Sequence, residues 1–209
     1  MRAIERIGPD VAGLQEVRPL QLRYLRRRLR AYGFHSRGRA ELLGKGEHCP
    51  VLHRRDRLAV QGWDVRWFSP AAPDRIATLA HFDGFSVLNT HLAERSPAVR
   101  EASVRTMLAW LGETDGPWIV MGDLNATPAD PPVQALLGAG LRDALAGLPA
   151  DGPGAATGHG WTGTADGRRI DHILVSPEWE VVEASIARTR PRGRLPSDHW
   201  PVTARLRLP

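Results

Sequence analysis

Five short segments of this 209-residue chain set acids, amides and imidazoles at the ends of apolar runs: Gln15-Glu16, Asn89-Thr90-His91, Gly122-Asp123-Leu124-Asn125, Asp171-His172 and Ser197-Asp198-His199. A carboxylate buried at such a place is costly unless it is paired or bound to a metal. Glu16 taken alone is a surface residue just past a strand; taken with the others it is a hard oxygen donor suited to Mg2+ or Mn2+. Asp123 and Asn125 flank Leu124, so an extended segment turns both to one side. Gly122 would let the backbone approach a ligand closely. The tetrad is also a good turn, since Asp and Asn favour turns. In the chemical reading, Asp123 activates or orients a nucleophile and the Asn125 amide holds a phosphate oxygen. His199, with Asp171 as its orienting carboxylate, supplies an imidazolium to a phosphate. The bland reading of Ser197-Asp198-His199 is a cap-like turn before a last strand. His91 is a second acid/base candidate, and two histidines at strand ends beside acids favour catalysis over structure.

Other chemistries lack their residues. Cys49 is the single cysteine, so no internal disulfide forms, and it reads as a buried inert thiol, in keeping with a reducing, cytoplasmic setting. There is no Cys/His zinc spacing, no Gly-x-Ser-x-Gly elbow and no Walker loop. Gly44-Lys45-Gly46 is too short for a phosphate loop and reads as a flexible turn. No stretch approaches the roughly 20 apolar residues that span a bilayer, and the N-terminus shows no signal-peptide pattern. The net charge is +5, and Lys45 is the only lysine among 28 basic residues. An arginine-rich surface would draw in an anionic partner such as nucleic acid; base composition of the gene explains the same excess equally well. Arg26–Arg30 reads as a solvated helix face.

The elements that carry these residues follow from pattern. A helix ends near residue 8, and a short apolar strand runs over Val11 to Val17. Residues 19–31 suit a helix, with Leu22, Leu25 and Leu29 on one stripe. Strands are predicted over Val51–His53, Asp64–Phe68, Ile76–Phe82, Phe85–Thr90, Trp118–Met121, Ile170–Val175, Glu180–Ala187 and Val202–Leu208. Asp83-Gly84 signals a hairpin. Ser96-Pro97 opens a helix, and residues 131–137 suit a short one. Residues 149–168, rich in Gly and Pro, read as a long loop or lid. The mixture of hairpins and helical crossovers in one domain, residues 1–209, predicts an α/β (α+β) fold of two packed mixed sheets with helices outside.

Taken in order, LQEVRP, GEHCPVLHRRDRL, RIATLAHF, NTHL, MGDLNATP, RIDHILVS and PSDHWPV resemble the endonuclease/exonuclease/phosphatase superfamily. The resemblance runs from Asp10 to Leu208 and implies a four-layer α-β-β-α sandwich. It implies a phosphate-ester hydrolase using Mg2+ or Mn2+: a phosphodiesterase or nuclease working by in-line water attack, or a phosphatase of a small metabolite or lipid headgroup. By the same likeness Glu16 and Asp198 are metal-site acids, Asp123 orients the attacking water, and Asn125 contacts phosphate. His199 touches the scissile phosphate, oriented by Asp171. His91 protonates the leaving group, with Glu47 as its acidic partner, and Arg18 and Arg75 are basic positions near the cleft. His172 stands where many members have Tyr. The family opens with a strand ending in a metal-binding Asn, which is missing from this sequence: the expectation is an N-terminally truncated chain whose start lies upstream of Met1, or, if the loss is real, a non-catalytic phosphate-binding protein. A monomer is expected.

Overall fold

The computed structural model describes residues 1–40, 45–68, 75–114 and 116–209. Its strands are β1 (Val11–Gly13), β2 (Tyr32–His35), β3 (Gly38–Ala40), β4 (Lys45–His48), β5 (Val51–Arg54), β6 (Val60–Trp67), β7 (Ile76–Phe82), β8 (Phe85–His91), β9 (Trp118–Asp123), β10 (Arg142–Asp143), β11 (Asp171–Val175), β12 (Glu180–Ile186) and β13 (Val202–Arg207). The helices are α1 (Arg2–Ile7), α2 (Pro19–Arg28), α3 (Pro97–Leu111) and α4 (Pro131–Gly138). No helix among the described residues is long and apolar enough to cross a membrane.

The larger sheet has six strands in the order β10-β11-β9-β8-β7-β6. Only β8 and β9 run parallel within it, joined by a crossover through α3. Their near-continuous apolar runs fit strands covered on both faces. One face carries α3 and α4, where Val104, Met107, Val133 and Leu136 pack on Leu79, Leu88 and Val120. The other face packs Ala80, Val87, Ile119 and Ile173 against Val51, Ile186 and Trp200 of the second β layer. Behind that layer, Ile4 of α1 and Leu25 and Leu29 at α2 cover Tyr32 and Leu52. The four layers are therefore helix, sheet, sheet, helix, matching the expected fold class.

The second β layer differs from a single mixed sheet. It comes in separate antiparallel pieces, β1-β5-β2 and β12-β13, with β3-β4 as a further hairpin. The predicted strand over Val11 to Val17 stops at Gly13, because Glu16 turns into the left-handed region at φ 56. β2, β3, β4 and β10 escape sequence patterning. They have two to four residues each, too few for alternation to show. In β2, Gly33 interrupts the apolar pattern for a steric reason: a Cβ there would lie 2.0 Å from the His53 ring. β6 begins at Val60, four residues ahead of the predicted Asp64. Lys45 and Gly46, read as part of a turn, lie on β4, and Gly44 lies outside the described residues. Residues 149–168 contain no regular element, as expected, yet this loop is anchored: Ala155, Ala156 and Thr157 are wholly buried, and its backbone bonds Ala156 to Ala165 and Thr157 to Arg168.

Candidate active site

Four strand ends meet at one edge of the sandwich. β8 and β9 run parallel, so their C-terminal residues His91 and Asp123 sit side by side. β11 pairs antiparallel with β9 and sets Asp171 opposite Asp123. The close strand pairing depends on Gly122, where a Cβ would stand 1.9 Å from the Thr90 carbonyl oxygen. Three devices hold the remaining residues in place. The Asp123 carboxylate accepts the Asn125 backbone N–H at 2.8 Å, fixing a turn in which Asn125 has φ 48. The Thr157 hydroxyl accepts the N–H groups of Ile170 and Asp171, while its carbonyl accepts Trp200 N–H. That residue thus ties Asp171 to the segment bearing His199. His172 Nε2 lies 2.8 Å from the Ala126 carbonyl and bonds the turn from behind.

Asn89 does the same work between the sheets. It is wholly buried on β8, its Nδ2 donates to the carbonyls of Leu14 and Pro50, and its Oδ1 accepts Gln15 Nε2 at 2.7 Å. The segment leading to Glu16 is thereby fastened to the larger sheet. Sequence reading set Asn89 beside His91 without a role. Its signal was a fully amide-bearing side chain inside an apolar strand, which demands partners.

His199 Nδ1 lies 2.8 Å from Asp171 Oδ2. Burial opposes charging this ring, but the hydrogen bond to Asp171 and the charges of Asp171, Asp123 and Asp198 outweigh it and raise the pKa to about 9. The ring is an imidazolium at neutral pH. Asp123 is pushed up to about 7, first by burial and then by the Asp171 charge, with Glu16 adding to it. His91 goes the other way. Burial, then Arg75, His199 and Arg39, lower it to about 3. Arg75 Nη1 stands 3.0 Å from His91 Nδ1 and Asn125 Nδ2 stands 3.1 Å from its Nε2, with Asp123 Oδ2 3.5 Å from the same Nε2. His91 is a neutral ring here, held between two N–H donors.

Glu16, Glu47, Arg39, Arg75 and His91 line a small cavity closed by Cys49. Glu16 is the exposed member, its carboxylate 3.7 Å from His91 Nδ1. Glu47 pairs with Arg39 at 3.2 Å, and it is Arg75 that meets the His91 ring, not Glu47. Burial pushes the Cys49 thiol up to about 12, so it is inert. Asp198 accepts the Ser197 hydroxyl and lends its charge to His199. Arg18 stands apart: it is exposed at the start of α2 and makes no hydrogen bond or ion pair with these groups. Glu16, Glu47, Arg75, His91, Asp123, Asn125, Asp171 and His199 thus converge, with Asp198 at their edge.

The carboxylates of Asp123 and Asp171 and the His199 ring offer ligand atoms within 4.8 Å of one another. His199 is already bonded to Asp171 and cationic, which leaves hard carboxylate oxygens as the donors for an ion. That chemistry fits a divalent cation such as Mg2+ or Mn2+ rather than a soft metal.

The family model for the Endonuclease/Exonuclease/phosphatase family matches residues 1–199. The chain belongs to that family. As a member it is a phosphoesterase. An endonuclease/exonuclease/phosphatase protein from Bacteroides vulgatus superposes with a TM-score of 0.88 at 28% identity, over 100% of this chain and 88% of that one. A mannosyl-6-phosphatase from Bacteroides thetaiotaomicron gives 0.87 at 24% identity, over 99% and 88%. TDP2 from D. rerio, solved with single strand DNA product, gives 0.78 at 21% identity, over 99% and 89%. The last two likenesses show the shared fold alone. Searched by sequence, the curated proteins give no match.

Proposed function

We propose that this phosphoesterase hydrolyses phosphodiesters by in-line attack of water, with a divalent cation, Mg2+ or Mn2+, at the site. The carrying observation is the pairing of a cationic His199 on Asp171 with a carboxylate, Asp123, held near neutral pKa in the same cluster. A carboxylate of pKa about 7 suits general-base duty at neutral pH. Asp123 accepts a proton from water as its oxygen bonds to phosphorus, and the bond to the leaving oxygen breaks on the opposite side. The His199 imidazolium faces the non-bridging oxygens and offsets their charge. Asn125 Nδ2 donates to the Leu92 carbonyl at 3.0 Å and lies 3.1 Å from His91 Nε2, and it would turn that second N–H from the ring to a phosphate oxygen when substrate binds. Glu16 and Asp198 are the carboxylates that would hold the cation, which when bound would neutralise developing negative charge.

Arg39 is offset by Glu47, while Arg75 donates to the neutral His91 ring and keeps its charge, so Arg75 and His199 are cationic side chains beside the cluster. The test is hydrolysis of bis(p-nitrophenyl) phosphate and p-nitrophenyl phosphate with Mg2+, Mn2+ or a chelator. Metal-dependent cleavage of the diester is expected, falling by about 10²–10⁴-fold in Asp123→Ala and His199→Ala. Preference for the monoester would move the reading to a phosphatase. Phosphate binding without turnover of either ester would make the chain a binding protein.

A further inference from the structure

The loop segment from Gly158 to Thr164 is pinned to the strand end that bears His199. Gly158 forms a bridge with His199, and the N–H groups of His159 and Gly160 both donate to the Asp198 carbonyl, at 2.8 and 3.1 Å. On the far side, Thr162 bonds back to the His159 carbonyl, Gly163 N–H reaches His159 Nδ1, and Trp200 Nε1 donates to the Thr164 carbonyl. Between these anchors stands Trp161. Its side chain has no ring, cation or hydrogen-bond contact among the described residues, and the residue is 61% exposed. Its backbone has φ 66. The left-handed region is rarely occupied by a bulky residue, and such strain concentrates at ligand sites. Glycine flanks it at 160 and recurs at 163, so the chain had glycines available for the turn and still carries an indole at the strained position.

We infer that Trp161 forms a ring-binding subsite beside His199, on which the flat face of a nucleobase attached to the scissile phosphate stacks. The inference rests on the phosphodiesterase reading for the placing of the phosphate. An exposed, rigidly mounted indole offers a π-face at little ordering cost, and such stacking is tolerant of which base is present. Two residues lie between Gly158, which bridges to His199, and Trp161, so at most about 10 Å of chain separates the indole's mounting from that strand end. An apolar role is unsupported, because this indole covers no core residue.

The test is calorimetric binding of adenosine 5′-monophosphate, mannose 6-phosphate and inorganic phosphate to the full chain with Mg2+, for the parent, Trp161→Phe and Trp161→Gly. The ratio of nucleotide to inorganic-phosphate affinity falls about 10–100-fold in Trp161→Gly, and Trp161→Phe recovers most of it. Thermal unfolding adds a second readout. A side chain kept for structure would lower the midpoint when removed, whereas Trp161→Gly raises it by about 2–4 °C through relief of the left-handed strain. An unchanged affinity ratio, or a fall shared equally by mannose 6-phosphate, would overturn the nucleobase assignment. Absence of diester turnover in the parent would sink the enzymatic reading while leaving the binding ratio as the measure of this subsite.

Discussion

Replacing Asn89 with Leu should loosen the active site by unfastening the two sheets from each other. Leu matches Asn in the number and branching of its side-chain heavy atoms, so the change removes polar contacts without opening a cavity. Three hydrogen bonds disappear: from Nδ2 to the Leu14 and Pro50 carbonyls, at 2.9 and 3.0 Å, and from Gln15 Nε2 to Oδ1 at 2.7 Å. Asn89 is wholly buried, and Leu in its place offers the Leu14 carbonyl no donor. An orphaned group costs about 1–3 kcal/mol. Gln15 is half-buried and can turn to solvent, and the Pro50 carbonyl keeps the Leu14 N–H at 3.1 Å, which leaves one carbonyl and a total of about 1–3 kcal/mol. For a chain of this size the unfolding midpoint drops by about 2–12 °C. The loss also reaches function, because Leu14 and Gln15 precede Glu16. A freed Glu16 weakens the cation's hold, so the Mg2+ concentration giving half-maximal diester hydrolysis rises while turnover at saturating Mg2+ changes less. Thermal unfolding and a Mg2+ titration measure the two effects. A midpoint within about 2 °C of the parent, or an unmoved Mg2+ titration, would refute the view that Asn89 couples the sheets at the site.

Asp171→Asn takes away the charge that keeps His199 protonated. With burial still acting, the His199 pKa falls from about 9 to its ordinary 6.5 or below, and Asp123 falls as well, so both limbs of the pH–rate profile move to lower pH. At pH 8 the charged fraction of His199 drops roughly thirtyfold; an alkaline limb that stays put would contradict this. Gly122→Ala sets a Cβ 1.9 Å from the Thr90 carbonyl oxygen at φ 140, which should cost about 3 kcal/mol or more and appear as a midpoint lowered by about 6 °C or more. His35 is held at a pKa of about 4, by burial first and then by His53, Arg55 and Arg26. The unfolded ring takes its proton near 6.5, so the unfolded state binds more protons between those values and stability falls as pH drops from 6.5 towards 4. Urea unfolding at pH 7 and pH 5 should show a smaller difference in His35→Gln than in the parent.

Much of the site was legible because its chemistry falls at strand ends, where apolar runs stop at a polar residue. Ile76–Phe82 was bounded as found, and β8 and β9 gained only one or two residues. What stayed hidden was relational. Nothing in the spacing of His91 says that Arg75 rather than Glu47 will reach its ring, since Arg39 competes for Glu47 from β3, a strand of three residues that leaves no periodic trace. Arg18 lies beside Glu16 in sequence, yet the left-handed turn at Glu16 and the helix starting at Pro19 carry it to the surface. Thr157 lay inside a Gly-rich stretch that reads as a bare loop, but its hydroxyl orders two backbone N–H groups at the head of β11.

The two halves of the site are held with unequal firmness, and this bears on where its chemistry resides. Asp123, Asp171 and His91 stand on three neighbouring strands of the six-stranded sheet, joined by continuous backbone pairing. Glu16 follows β1, a three-residue strand paired on one side only, and is held at the site through Asn89 and the Val17–His48 bridge. His199 precedes β13, which pairs with β12 alone, and is placed by Thr157 and Asp171. The proton-handling pair of Asp123 and Asp171 therefore sits on the rigid sheet, while the exposed carboxylate offered to a cation sits on the more weakly attached piece. A loose carboxylate still binds an ion, since ionic contacts tolerate displacement, whereas proton transfer demands tight geometry. Perturbing the second β layer should thus raise the cation requirement before it lowers the maximal rate.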